Sequence, residues 1–175
     1  MGAWRSVSEI DWADWRPVEV ATLVFVVRDG EVLLIEKKRG LGAGKVNGPG
    51  GRLEPGETPL AAAVREVEEE VLATPTGLAA AGELRFQFRD GHSIHVHVFR
   101  ADGLRGEPGE TAEALPFWCP LAAIPYARMW EDDLLWLPHL LAGIPFDGRF
   151  LFDDDRMLDH ALATGAATAP LPGRA

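Results

Sequence analysis

Apolar and polar positions fall into blocks whose period changes along the chain. Val20–Val27 (VATLVFVV) and Glu31–Glu36 (EVLLIE) are apolar runs of strand length, and Asp29-Gly30 between them is a hairpin turn signal. The glycine-rich stretch Gly40–Gly51 (GLGAGKVNGPGG) then breaks regular structure. Thr58-Pro59 opens a helix, with the threonine as N-cap and the proline at the first helical position. The helix runs to about Val71, and Pro75 and Gly77 mark its exit. Two further strands are predicted over Gly82–Phe88 and Ile94–Phe99, separated by an Asp90-Gly91 turn. Gly103–Ala112 reads as a loop, Phe117–Cys119 as a short apolar run, and a second helix is expected from near Asp132 through Leu141. Arg149–Asp159 reads as a last strand and turn. Strands interleaved with two helices predict an α/β or α+β class, a mixed sheet sandwiched between helices.

The flanks carry weaker patterns. Residues 1–18 are acidic and tryptophan-rich without a period, and read as an extension; residues 19–160 form the domain. Residues 161–175 have little to bury and are expected to be a disordered tail.

Composition narrows the function classes. A chain of 175 residues with 47% apolar and 25% charged positions is an ordinary globular domain with room for one core. Its apolar runs are too short to span a bilayer, and its first residues lack the basic-then-apolar order of a secretory signal. One cysteine, Cys119, excludes an internal disulfide, so a reducing cytoplasm is the default location. The net charge of −10 argues against a nucleic-acid polymer as partner. It leaves room for a small nucleotide, because a bound cation inverts the local sign. A monomer is expected, with a dimer as the alternative.

The candidate chemistry lies in Gly51–Ala73, GRLEPGETPLAAAVREVEEEVLA. At about 100° per residue, Glu66, Glu69 and Glu70 share one sector of the helix, Leu60, Val64, Val67 and Val71 form the adjoining buried stripe, and Glu68 faces solvent. Glu66 and Glu70 repel at i,i+4, by about 0.2–0.5 kcal/mol on a bare helix. A hard divalent cation, magnesium or manganese, turns that repulsion into attraction. Three glutamates alone also read as a solvated face.

The surrounding letters decide between those readings. Gly51, Glu57, Arg65-Glu66, Val67 and Glu69-Glu70 stand at spacings that resemble the Nudix box, and the chain is similar to the Nudix hydrolases. Leu72 and Ala73 replace that family's usual glycine and aliphatic residue at the helix exit. The resemblance implies the Nudix fold and hydrolysis of a phosphorus anhydride by water with bound magnesium. It makes Glu66, Glu69 and Glu70 metal ligands together with the Gly50 carbonyl, and Glu70 and Glu69 the candidate bases. Glu113 is a further metal or base carboxylate. Gly51, Glu57 and Arg65 become structural, the last two as a brace from loop to helix.

A narrower resemblance covers about Thr22 to Leu158. It rests on Lys37-Lys38-Arg39-Gly40, Gly42-Ala43-Gly44, Asn47-Gly48, Val96-His97-Val98-Phe99, Ile124-Pro125, Met129-Trp130, Asp132-Asp133 and Leu158-Asp159. These look like the oxidised purine nucleoside triphosphatases of animals, which convert 8-oxo-dGTP and 2-hydroxy-dATP to monophosphate and pyrophosphate and so clean the nucleotide pool. By position, Trp130, Asp132, Asp133 and Asn47 become base-reading residues, Thr22 and Phe86 line the pocket, and Lys37 approaches the phosphates. Leu41, Val46 and Pro49 replace aromatic residues there, which weakens stacking. The alternatives are hydrolysis of another nucleotide diphosphate such as ADP-ribose, or a ligand-sensing module without turnover. His95 and His97 are read as one buried and one exposed histidine.

Overall fold

The computed structural model describes residues 4–165. In chain order its strands and helices are β1 (Glu19–Arg28), β2 (Glu31–Lys37), β3 (Val46–Asn47), β4 (Gly50–Arg52), α1 (Pro59–Val71), β5 (Thr74–Thr76), β6 (Ala79–Phe88), β7 (Ser93–Ala101), β8 (Gly103–Arg105), β9 (Ala114–Pro120), α2 (Asp133–Leu141), β10 (Phe146–Asp153) and β11 (Arg156–Thr164). The arrangement is mixed α+β, with a large mixed sheet and two α-helices. The chain divides into two compact units, Ala21–Ala80 with Val98–Trp130, and the described parts of Met1–Val20, Ala81–His97 and Glu131–Ala175.

In the first unit β2 pairs antiparallel with β1, β3 and β9. Val24 and Val26 of β1, Leu33 and Ile35 of β2, Phe99 and Ala101 of β7 and Ala114 of β9 form a core against Ala63, Val67 and Val71 of α1. α1 begins as its letters predict: Ala61 N–H donates to Thr58 Oγ1 at 3.2 Å, and Pro59 holds the first helical position. The buried stripe differs from the expected one. Leu60 is 51% exposed and Val64 only half-buried, while Ala62, Ala63 and Glu70 are buried. Two alanines let the helix turn its small side toward the strands, and this rotation carries Glu66 and Glu70 inward.

The helix exit also departs from its usual chemistry. Leu72 takes the left-handed conformation (φ 61°, ψ 30°), and its N–H donates to the Glu68 carbonyl at 3.0 Å. β5 follows within two residues and pairs with β8, so Gly103–Arg105 is strand where a loop was expected. Strands of three residues are too short to show a period. β9 extends the expected Phe117–Cys119 run at both ends, because full pairing along β2 outweighs Pro116 and Pro120.

In the second unit β10 runs parallel to β6 and antiparallel to β11. Seven of its eight residues are buried, so it shows no alternation to read. The expected last strand and turn at Arg149–Asp159 is a hairpin of two strands turning at Asp154 (φ 53°). β11 runs to Thr164, so Ala161–Thr164, expected in a disordered tail, are strand residues; residues 166–175 lie outside the described residues. The tryptophan-rich segment packs on this hairpin. Val7, Ile10 and Trp12 are buried with Leu151, and Trp4 and Trp15 lean on the same cluster. Val7 N–H donates to Asp159 Oδ2 and Trp15 Nε1–H to Gln87 Oε1, each at 2.8 Å. Burying side chains of this size contributes about 1.5–3 kcal/mol apiece, which explains why so short a segment stays down.

Candidate active site

Within the first unit, α1 and β4 approach closely. A Cβ on Gly50 would strike the Thr22 carbonyl, so that position requires glycine for space, and one on Gly51 would displace the Glu66 carboxylate. β4 is fixed by its pairing with β1, Thr22 opposite Gly51 and Leu23 opposite Gly50. Thr22 is buried, and its hydroxyl donates to the Gly51 carbonyl at 3.4 Å.

Glu70 is the buried centre of this face, 6% exposed. Burial, then the charges of Glu66 and Glu113, push its carboxyl up to about 8; Lys37 and a backbone hydrogen bond from Gly50 oppose the rise. Those influences identify the residues brought together: Glu66, Glu70, Glu113, Lys37 and the Gly50 backbone. Glu66 is also raised by burial, against the hydrogen bond from Arg65. Glu69 sits at the rim with its side chain 58% exposed. The loop that carries Glu113 is tied to the helix by Thr111, whose hydroxyl donates to the Glu70 carbonyl at 2.8 Å. The Glu113 carboxylate accepts from Arg39 at 2.9 Å.

Arg65 organises the carboxylates. Its guanidinium grips Glu57 through two hydrogen bonds of 2.7 and 2.8 Å, and reaches Glu66 at 2.8 Å, Glu69 at 3.2 Å and the Arg52 carbonyl at 3.0 Å. The Arg65 hydrogen bonds hold the Glu57 carboxyl down to about 2, helped by the Glu54 N–H. Arg65 itself is held further above its ordinary value, chiefly by Glu57.

Carboxylate oxygens and a backbone carbonyl are the donor set of a hard divalent cation, so the residues present suit one. Among the described residues, however, the group whose ligand atoms all lie within 4.8 Å is Glu83, His95 and His97, not the α1 glutamates. Glu66 and Glu69 instead both accept from Arg65 Nη1.

The expected base-reading residues divide between the units. In the first, Asn47 Oδ1 accepts from Gly48 N–H at 2.8 Å. Trp130 stands 2.8 Å by its Nε1 from where a Cβ on Gly42 would lie, and Lys45 Nζ sits 5.2 Å from its ring centre. Sequence reading missed Lys45; a cation 85 positions from the ring it faces leaves no local signal. In the second unit Phe86 stacks on Phe150, ring centres 5.1 Å apart. Asp132 and Asp133 are both buried. Asp132 does not cap α2 by its side chain; its Oδ2 accepts from Trp136 Nε1 at 2.7 Å, and Oδ1 is buried without a hydrogen-bond partner. Burial pushes the Asp132 carboxyl above its ordinary value, against the hydrogen bond from Trp136. A proton on one of two adjacent buried carboxyls makes a donor–acceptor pair.

The histidines correct the expectation stated for them. His95 and His97 are both half-buried, with ring centres 4.5 Å apart. Residues two apart on a strand share a face, so one inside and one outside was never available to them.

Residues 17–140 match the NUDIX domain family. The chain is 44% identical to a zebrafish (Danio rerio) protein named oxidized purine nucleoside triphosphate hydrolase, over 82% of this chain and 94% of that one. It is 42% identical to the mouse (Mus musculus) protein of the same name, over 81% and 92%. A crystal structure of the mutator MutT protein from Bacillus halodurans superposes with a TM-score of 0.74 at 25% identity, covering 83% of this chain and 97% of that one.

Proposed function

Because the chain belongs to the Nudix family of hydrolases, whose members use divalent metal ions, we propose that it hydrolyses oxidised purine nucleoside triphosphates. The substrates are 8-oxo-dGTP and 2-hydroxy-dATP, and the products are the monophosphate and pyrophosphate, so the enzyme clears damaged precursors from the nucleotide pool. The observation that carries this reading is the 44% identity spanning 94% of a relative named for that activity. A monomer working in the cytoplasm with magnesium completes the proposal.

When bound, the metal ion supplies neutralisation of phosphate charge and acidification of water. The chain's own part is to hold it with Glu66, Glu69, Glu70 and the Gly50 carbonyl, with Glu113 beside them. Glu70 takes the proton from the attacking water, and Glu69 is the second candidate. Lys37, which acts electrostatically on Glu70, faces the phosphates. Gly51, Glu57 and Arg65 hold the carboxylates in place. Asn47, Trp130, Thr22 and Phe86 contact the base, and Asp132 with Asp133 reads its edge, where a raised carboxyl can donate as well as accept.

Incubation of 8-oxo-dGTP with the protein and magnesium is expected to give 8-oxo-dGMP and pyrophosphate. Asp132→Asn is expected to lower the preference for 8-oxo-dGTP over dGTP by about tenfold or more, because a fixed amide cannot exchange donor and acceptor roles. Unchanged preference in both Asp132→Asn and Trp130→Ala would overturn the base-recognition reading.

A further inference from the structure

The second unit carries a group of side chains that hydrolysis does not use. Glu83 on β6 and His95 and His97 on β7 present one oxygen and two ring nitrogens, all within 4.8 Å of one another. His95 Nε2 lies 2.8 Å from Glu83 Oε1, and His97 Nδ1 lies 4.0 Å from the same oxygen. We propose that Glu83, His95 and His97 form a site for a transition-metal dication of the zinc class, bound by two imidazoles and one carboxylate.

The donor set selects the ion. Two imidazoles with a carboxylate suit zinc, copper or nickel, whereas magnesium prefers an all-oxygen shell. Donors about 2.0–2.2 Å from a tetrahedral zinc stand about 3–3.5 Å from one another, so the present spacing closes on an ion with side-chain rotation alone. Half-buried side chains have room for that rotation, and a path for the ion to enter.

The local charge also permits a cation. Arg85 lies 3.6 Å from Glu83, but its guanidinium also pairs with the buried Asp147 at 3.1 Å. Sharing Arg85 with Asp147 leaves the Glu83 carboxylate only partly neutralised by it. An ion pair alone would need only Glu83 and His95; it gives no part to His97, whose Nδ1 is beyond hydrogen-bond distance of the carboxylate.

The site opens onto a cavity. Glu83, Arg85 and His95 line a space of about 350 Å³ together with Trp12, Trp15 and Arg16 from the N-terminal segment. Two protein nitrogens and one oxygen leave zinc a fourth position, and the cavity gives that position to water or a small anion beside Arg16 and Arg85. None of these residues belongs to the α1 carboxylate cluster.

The test is zinc binding to the full, chelator-stripped chain, followed by calorimetry with magnesium in large excess to occupy the glutamates. One equivalent of zinc is expected to bind with micromolar affinity or better. His95→Gln/His97→Gln is expected to weaken it by about 100-fold or more, since even outer-sphere changes cost 10–100-fold. X-ray absorption of the zinc-loaded wild-type protein needs no variant, and is expected to show two imidazoles with oxygen ligands. Zinc bound equally well by the double variant would overturn the site. So would an absorption spectrum without imidazole, or zinc binding lost only in Glu66→Gln.

Discussion

Glu70→Gln is expected to reduce kcat/KM for the nucleotide substrate by about 10³-fold or more, and to make the metal-free protein more stable at alkaline pH. Both effects follow from one carboxyl. Glu70 is 6% exposed beside Glu66 and Glu113, and its carboxyl is pushed up to about 8. A folded-state value above the ordinary 4.5 favours folding while the group is protonated. That contribution is full below about 4.5 and is lost as pH rises through about 8. Between pH 5 and 9 the loss is on the order of a few kcal/mol. Glutamine keeps the shape and cannot ionise, so denaturant unfolding without metal should show a flatter pH dependence in the variant. Magnesium should stabilise the wild-type protein at pH 9 more than the variant, which keeps only the remaining carboxylates. Parallel pH profiles for the two proteins would remove Glu70 from the centre of the site.

Arg65→Ala is expected to lower stability by about 2 kcal/mol and activity by about 100-fold. The guanidinium is the shared partner of Glu57, Glu66, Glu69 and the Arg52 carbonyl, and its removal takes from Glu66 the arginine that hydrogen-bonds it beside Glu70. The stability estimate is kept at the low end because the Arg65 side chain is still 22% exposed. Lysine should not rescue it, because an ammonium cannot match the two-pronged grip on Glu57. Acid unfolding gives a separate readout. Glu57 is held down to about 2, so its contribution is present above 4.5 and lost as pH falls toward 2; Arg65→Ala removes that acid-range slope. An alanine variant with wild-type stability, activity and acid profile would contradict the bracing role.

What was legible from the letters was local or densely spaced. Thr58 and Pro59 announce the start of α1 through a hydrogen bond three residues long, and the Asp29-Gly30 turn joins neighbouring strands. The spacing of Glu66, Glu69 and Glu70 within α1 places them in one sector of the helix, because helical geometry depends only on spacing. What was not legible depended on partners distant in sequence. The inward turn of α1 onto its alanines follows from packing against strands distant in sequence, Ala63 among Val24, Val26, Leu33 and Ile35, which periodicity cannot see. β10 is buried almost throughout, so it offered no alternation, and β11 was cut short for want of its partner. The N-terminal tryptophans showed no period because they pack from an irregular segment into a cluster around Leu151. Leu72 adopts a glycine-like conformation that its own side chain argues against.

The most direct test of the central claim is steady-state hydrolysis with magnesium, comparing 8-oxo-dGTP with dGTP and 2-hydroxy-dATP with dATP, with Glu70→Gln as the control. The account predicts kcat/KM about tenfold or more higher for at least one oxidised base, and loss of turnover in the variant. Equal constants for all four nucleotides, or faster hydrolysis of ADP-ribose than of any of them, would contradict it.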